Sequence, residues 1–365
     1  MRHFTLISLL LVFSCQIEPD LEIEKATIIQ LMDSVHEAHF SKNAEQFFGP
    51  NATSWYDVRK GEISLVEKAD RIPSTQAYLD NMEFLQLENR TDPVVEISND
   101  ATLASYAASV TVRGLLADQP VFWVVSWQSV LRKNDGEWRI ISTANTEADP
   151  SGMAKVILKN VTDTIGMVDE ESALYALANC SGPRGAFSTL IVSNSTDGRM
   201  EQRSEGRHTI FKHGKDSSFG KNLISGNFYP DIDDAMKMFA QGHELHWLAY
   251  RPLDRFKNPT FKQFTQFANQ PAFEIGYSDL LERPVKFYYA FGSYVPLGFT
   301  MHTDEQGNTV DVYLEDWTEF DGRMAFMSAR FIQGDDVFRY QYSDLRIDPS
   351  EDSDLESQEA LLPLE

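Results

Sequence analysis

The stretch Gln241–Tyr250, QGHELHWLAY, packs two histidines around a glutamate. A zinc hydrolase needs its two histidines four residues apart on a helix, so that both imidazoles reach one ion with the glutamate beside it. Here His243 and His246 are three apart. Leu245, Trp247 and Ala249 alternate with Glu244, His246, Leu248 and Tyr250, and Pro252 closes the run, which predicts a strand. On a strand, positions 243 and 246 point to opposite faces and cannot chelate one ion. The expectation is therefore neither a metal site nor a zinc protease.

Other residues could do different chemistry. In "SWYD", Trp55 and Asp57 share one face if the segment is a strand, and Arg59 and Lys60 follow closely enough to make Asp57 a solvated edge carboxylate instead. His36 and His39 share a face on a predicted helix but make only two ligands. Trp123 and Trp127 fall on one face with Val121 and Val125, as pocket wall or as core, and Tyr106 on a neighbouring run could bring its hydroxyl into a pocket. Phe287, Tyr289 and Phe291, spaced by two, also share a face. A Gly-rich phosphate loop, a G-x-S-x-G elbow and a dinucleotide fingerprint are all missing, which argues against nucleotide chemistry and serine hydrolysis. No cofactor is expected.

These residues need elements to position them. "LEIEKATIIQLMDSVHEAHFSKN" places Ile28, Leu31, Val35 and His39 at helical spacing. "STQAYLDNMEFL" reads as a shorter helix capped by Ser74 or Thr75. "DATLASYAASVTVRGL", "PVFWVVSWQSVLRK" and, after the turn "NDG", "EWRIISTANTE" read as an antiparallel meander. Helices followed by a meander build an α+β cone, a curved sheet around helices. "FFGPNATSWYDVRKGEI" and the closing strand "GEWRIISTANTE" resemble the NTF2-like superfamily, in particular its SnoaL-like domains, over residues 21–147. The resemblance implies a pocket at the open end of the cone, in which Asp57 is the general base and Trp55 a wall. It also allows a homodimer through the sheet.

A break at "NTEADPSGMAK" starts a second segment. "ESALYALANCSG" reads as helical up to Gly182-Pro183, and short aromatic runs punctuated by Gly, Pro, Asn and Asp follow, as in a large antiparallel sheet. "DGRMEQR", "GHELHWL" and "EFDGRMAF…DVFRYQYSDLRI" resemble the LolA-like half-barrel of bacterial lipoprotein carriers over residues 170–348. That resemblance implies a greasy concave face for acyl chains, with Phe287, Tyr289 and Phe291 as candidate lining.

The formal charge of −23 over 365 residues argues against nucleic-acid binding, which needs clustered Lys and Arg. Residues 349–365 read as an acidic, solvated tail. At the other end, "MRHFTLISLLLVFSCQ" has a basic start and an apolar run shorter than the ~20 residues a membrane span takes, as in an export signal. "VFSC" resembles a bacterial lipobox, which implies cleavage after residue 14, lipidation of Cys15 and a short tether over 15–20; a plain signal peptide with an incidental cysteine is the alternative. Gln16 is not the aspartate that holds enterobacterial lipoproteins at the inner membrane, which favours the outer membrane, facing the periplasm. Cys180 then has no cysteine to pair with, and both domains depend on their cores. The expected organisation is a cone over 21–147, a linker and helix over 148–169, and a half-barrel over 170–348. The expected function is non-catalytic binding of a lipid or other apolar molecule at the envelope. A SnoaL-like isomerase, cyclase or dehydratase using Asp57, or a protein scaffold, is the alternative.

Overall fold

The computed structural model describes residues 19–215, 217–303 and 307–349. The signal segment, Cys15 and nearly all of the acidic tail lie outside them. The chain divides into two compact units, 1–147 and 148–365, and both are α+β.

The first unit opens with α1 (Leu21–Phe40), capped by the Asp20 carboxylate, which accepts from the N–H groups of Glu22 and Ile23. Ile28, Met32, Val35 and Ala38 form its buried stripe. A short α2 (Ala44–Phe47), β1 (Asn51–Arg59) and β2 (Glu62–Glu67) follow, then α3 (Lys68–Asn81). The remaining strands are β3 (Met82–Asn89), β4 (Val94–Ile97), β5 (Leu103–Leu116), β6 (Gln119–Asn134) and β7 (Glu137–Glu147). The sheet runs β2-β1-β7-β6-β5-β3, with β4 also on β5. Every pairing is antiparallel except β1 with β7, a parallel contact that the meander pattern does not reveal. Asp135 and Gly136, both at positive φ, make the two-residue turn that joins β6 to β7. Glu24 clips α1 to that hairpin by accepting from Lys133 Nζ and Trp138 Nε1, the latter at 2.7 Å.

Ser74 and Thr75 do not cap α3. They lie inside it, because the helix begins directly where β2 ends and accommodates Pro73 in its early turns, where one ladder bond is lost.

The second unit begins with α4 (Pro150–Ile165), capped by Asp149. Its strands are β8 (Ser172–Gly182), β9 (Gly185–Ser193), β10 (Gly198–Ser204), β11 (Arg207–His213), β12 (Phe219–Asn222) and β13 (Phe228–Pro230), before α5 (Asp234–Gln241) and α6 (Leu245–Tyr250). After a 3-10 turn at Pro252–Asp254 come β14 (Lys257–Phe267), β15 (Gln270–Ser278), β16 (Pro284–Ala290), β17 (Pro296–His302), β18 (Thr309–Phe320), β19 (Arg323–Gln333) and β20 (Asp336–Pro349). All thirteen strands form one antiparallel sheet whose two meanders join where β8 pairs with β20.

Two expectations are corrected here. The Ala- and Leu-rich β8 is a strand, not a helix. It sits between β9 and β20, hydrogen-bonded on both edges and buried along most of its length, so sheet context overrides helix propensity. Conversely, Leu245–Tyr250 is helical, not extended. All six of its residues are buried, leaving no polar face from which a 3.6-residue period could be read.

Candidate functional sites

Each unit holds a cavity. The first, of about 550 Å³, lies between α1, α3 and the sheet. Its wall from β6 is Trp123, Val125 and Trp127, every second residue; register sets Trp123 opposite Val112 and Val125 opposite Val110 on β5. From β1 come Trp55, Asp57 and Arg59, again one face of a strand. The parallel pairing puts Thr143 of β7 beside Asp57.

That pairing determines the state of Asp57. One of its oxygens meets Arg59 Nε at 2.9 Å and the other accepts from Thr143 Oγ1 at 3.1 Å, so the carboxylate is held on both sides. It is buried as well as paired, unlike a solvated edge residue. His39 faces the same cavity from α1. Its Nδ1 donates to the Val35 carbonyl at 2.9 Å, and its ring stands edge-on to Phe47 and Phe84. Burial lowers its pKa against the opposing pull of that hydrogen bond, which favours a neutral ring whose Nε2 can accept a proton. His36 also lines the cavity.

Tyr106 does not line it. Its ring stacks on Trp127 at 6.3 Å and is buried with Ile28 and Met32, where desolvation, with Asp33 nearby, pushes its hydroxyl up to about 12.

The second cavity, of about 600 Å³, is bounded by α5, the β8–β9 and β10–β11 turns, and strands β17, β19 and β20. Met238 and Met301 supply thioethers. A run of rings adds to that apolar wall: Phe239 lies 4.6 Å from His243, His243 stacks on Phe331 at 5.2 Å, and Phe331 reaches Tyr340 at 4.8 Å, while Arg184, Arg203, Glu205, Arg207, Arg283 and Asp336 line the same cavity.

Phe287, Tyr289 and Phe291 are brought together, but in the packed interior and on neither cavity wall. Phe287 stacks on Phe299 at 5.0 Å, the Tyr289 and Tyr277 hydroxyls meet at 3.2 Å, and Phe291 packs on Phe273 at 5.3 Å. Period-two spacing identifies a shared face; it carries no information on whether that face meets a void or a neighbour.

The residues of the opening motif separate into three roles. His243 precedes α6 and forms cavity wall, its Nδ1 donating to the Phe239 carbonyl. His246 is buried within α6. Its Nε2 donates to the Phe326 carbonyl at 2.9 Å, its ring stacks on Phe326 at 3.9 Å, and desolvation lowers its pKa to about 4. Glu244, at the N-cap, accepts from Arg255 Nε and Nη2 at 3.1 and 2.8 Å and contacts His213 Nε2. Arg255 in turn donates to the carbonyls of Asn194, Ser195 and Asp197, fastening α6 to the β9–β10 turn. Gly198 follows that turn because no Cβ fits: one would stand 2.2 Å from Glu244 Oε1. Among the described residues, no group of three or more His, Cys, Asp or Glu side chains could hold a metal ion.

Sequence reasoning missed the walls of the second cavity, though Phe331 and Tyr340 stood in runs already read as aromatic strands. It also missed Arg71. With the start of α3 placed correctly, Arg71, Ser74, Thr75 and Tyr78 fall at i, i+3, i+4 and i+7, and all four line the first cavity.

No family model matches the chain, and neither does any curated protein. Solved structures similar to it include a LolA-superfamily protein from Nitrosomonas europaea, at 10% identity and a TM-score of 0.39 over 53% of this chain and 92% of that one. They also include an NTF2-like protein from Cytophaga hutchinsonii, at 14% identity and a TM-score of 0.29 over 34% of this chain and 98% of that one. Proteins of both the NTF2-like and the LolA-like kind thus stand among the structures this chain is similar to.

Proposed function

We propose that this chain is an envelope lipoprotein, tethered through Cys15, that binds a lipid or acyl chain in the cavity of its second unit without transforming it. The observation that carries the reading is the composition of that cavity. Two methionines and a run of aromatic rings form an apolar wall in a cavity of about 600 Å³, a size suited to a small ligand, with a surface that adapts to a flexible chain, and Arg184, Arg203, Arg207 and Arg283 line the same cavity. Burying an acyl chain there would contribute about 0.8 kcal/mol per methylene. The signal-like start of the sequence and its lipobox-like VFSC support placement at the outer membrane, facing the periplasm. Among the described residues no helix is long and apolar enough to cross a membrane, so in this reading the lipid on Cys15 is the anchor.

The test is mass spectrometry of full-length protein purified from membranes, first under native conditions and then after solvent extraction. The expected result is a co-purifying lipid near one per chain, with a lipidated N-terminus in the same spectrum. Phe239→Glu, at a ring 43% exposed, should abolish lipid retention while leaving the fold intact. An empty cavity, or full lipid retention in the variant, refutes the reading.

A further inference from the structure

The first cavity carries a second and separate binding site. We infer that it takes a small carboxylate with an aromatic or alicyclic body, anchored by Arg71. Most of the cavity is apolar, with Trp55, Trp123 and Trp127 in its wall. Polar groups reach it from several elements, among them His36 and His39 of α1, Asp57 and Arg59 of β1, and Thr143 of β7. Arg71, Ser74 and Thr75 line it from one face of α3, and the buried Asp57 carboxylate is engaged by Arg59 and Thr143.

Arg71 is different. Its Nε is buried with no hydrogen-bond partner, and its guanidinium forms no ion pair among the described residues. Glu147, the other carboxylate of the lining, is exposed at the end of β7 and does not pair with it. A guanidinium partly withdrawn from water, with its donors open, is built to receive an anion. A carboxylate suits its planar fork through two parallel charge-assisted bonds. Ser74 spends its hydroxyl proton on the Arg71 carbonyl at 3.0 Å, which leaves the Thr75 hydroxyl, one residue on, as a further donor on the same face. The tryptophans then enclose the apolar body.

This inference stands apart from lipid binding in the second unit. Its test uses the full chain and two matched probes, 2-naphthoate and its neutral amide 2-naphthamide, titrated by calorimetry and by tryptophan fluorescence. Trp55, Trp123 and Trp127 line this cavity, whereas Trp247 and Trp317 lie outside the lining of the other, so quenching reports the first site. The acid should bind at least about tenfold more tightly than the amide, as expected for a charge-assisted anchor. Arg71→Leu should erase the preference while leaving amide binding in place, and Arg71→Lys should restore part of it. Equal binding of acid and amide overturns the inference, as does a preference that survives Arg71→Leu or the absence of binding by either probe. The comparison of acid with amide on the unaltered chain decides the matter even if the Arg71 variants fail to fold.

Discussion

Glu244→Gln tests the account of the opening motif, because it removes one charge from a buried network and changes little else in volume. Glu244 and Arg255 are 1% and 5% exposed, and the guanidinium reaches the carboxylate through two nitrogens. A glutamine offers one acceptor oxygen, and its amide N–H groups then face a cation or an imidazole. Arg255 keeps the three carbonyls of the β9–β10 turn, which soften the loss without cancelling the charge. Breaking a buried pair from one side costs about 3–5 kcal/mol, and the retained carbonyls favour the lower end. For a unit of this size that corresponds to a fall in Tm of roughly 6–20 °C in differential scanning calorimetry at pH 7. The effect has a pH signature. Burial pushes the Glu244 pKa up, but Arg255 and His213 outweigh it and hold it below the ordinary 4.5. A carboxylate whose pKa falls on folding contributes stability above its unfolded value and loses it as pH drops through the folded one. The gap between parent and variant should therefore be full at neutral pH and shrink below pH 4.5. A variant within about 1 kcal/mol of the parent at pH 7, or a gap that widens in acid, would refute the reasoning.

Two further outcomes follow from burial. His246 has a pKa lowered to about 4 from 6.5, so the unfolded chain takes up its proton first and stability falls as pH drops from 6.5 toward 4, by about 3 kcal/mol at 1.36 per pH unit; imidazole NMR should show this ring still neutral at pH 5, and a midpoint near 6.5 would contradict the packing described. The Cys180 thiol is pushed up to about 12 by burial, against weaker help from Thr189. In a Cys15→Ser background it should resist a disulfide reagent at pH 8 until denaturant is added, and rapid labelling of the native protein would contradict its burial.

What could be read from the chain depended on whether each element kept a wet side. The first helix did, and its stripe of Ile28, Val35 and His39 was visible for that reason. The β6–β7 hairpin announced itself through Asp135-Gly136, a turn with a specific backbone requirement. Where both sides are dry the signal disappears. The central strand β8 and the buried α6 each present apolar residues in all directions, so the first passed for a helix and the second for a strand. Sites suffered the same ambiguity one level up. Trp123, Val125 and Trp127 line a cavity, whereas Phe287, Tyr289 and Phe291, with the same spacing, fill an interior. The difference lies in what stands opposite each face, and that is long-range information no local spacing contains.

The motif at 243–246 shows how far spacing can carry an argument once the element beneath it is wrong. Opposed strand faces were the reason to separate the two histidines, yet residues 245–250 form a helix, on which a separation of three would favour meeting. They remain apart because His243 lies before the helix begins, with Glu244 as the N-cap between them. The chain direction changes within those few residues. One imidazole turns to the Phe239 carbonyl at a cavity wall, the other to the Phe326 carbonyl in the core, and the carboxylate to Arg255. A catalytic reading of H-E-x-x-H requires all three on one helical turn, facing one ion. Here a helix start falls in the middle of the motif, so each polar group is satisfied by a different part of the unit, and the glutamate becomes a fastening between α6 and the β9–β10 turn.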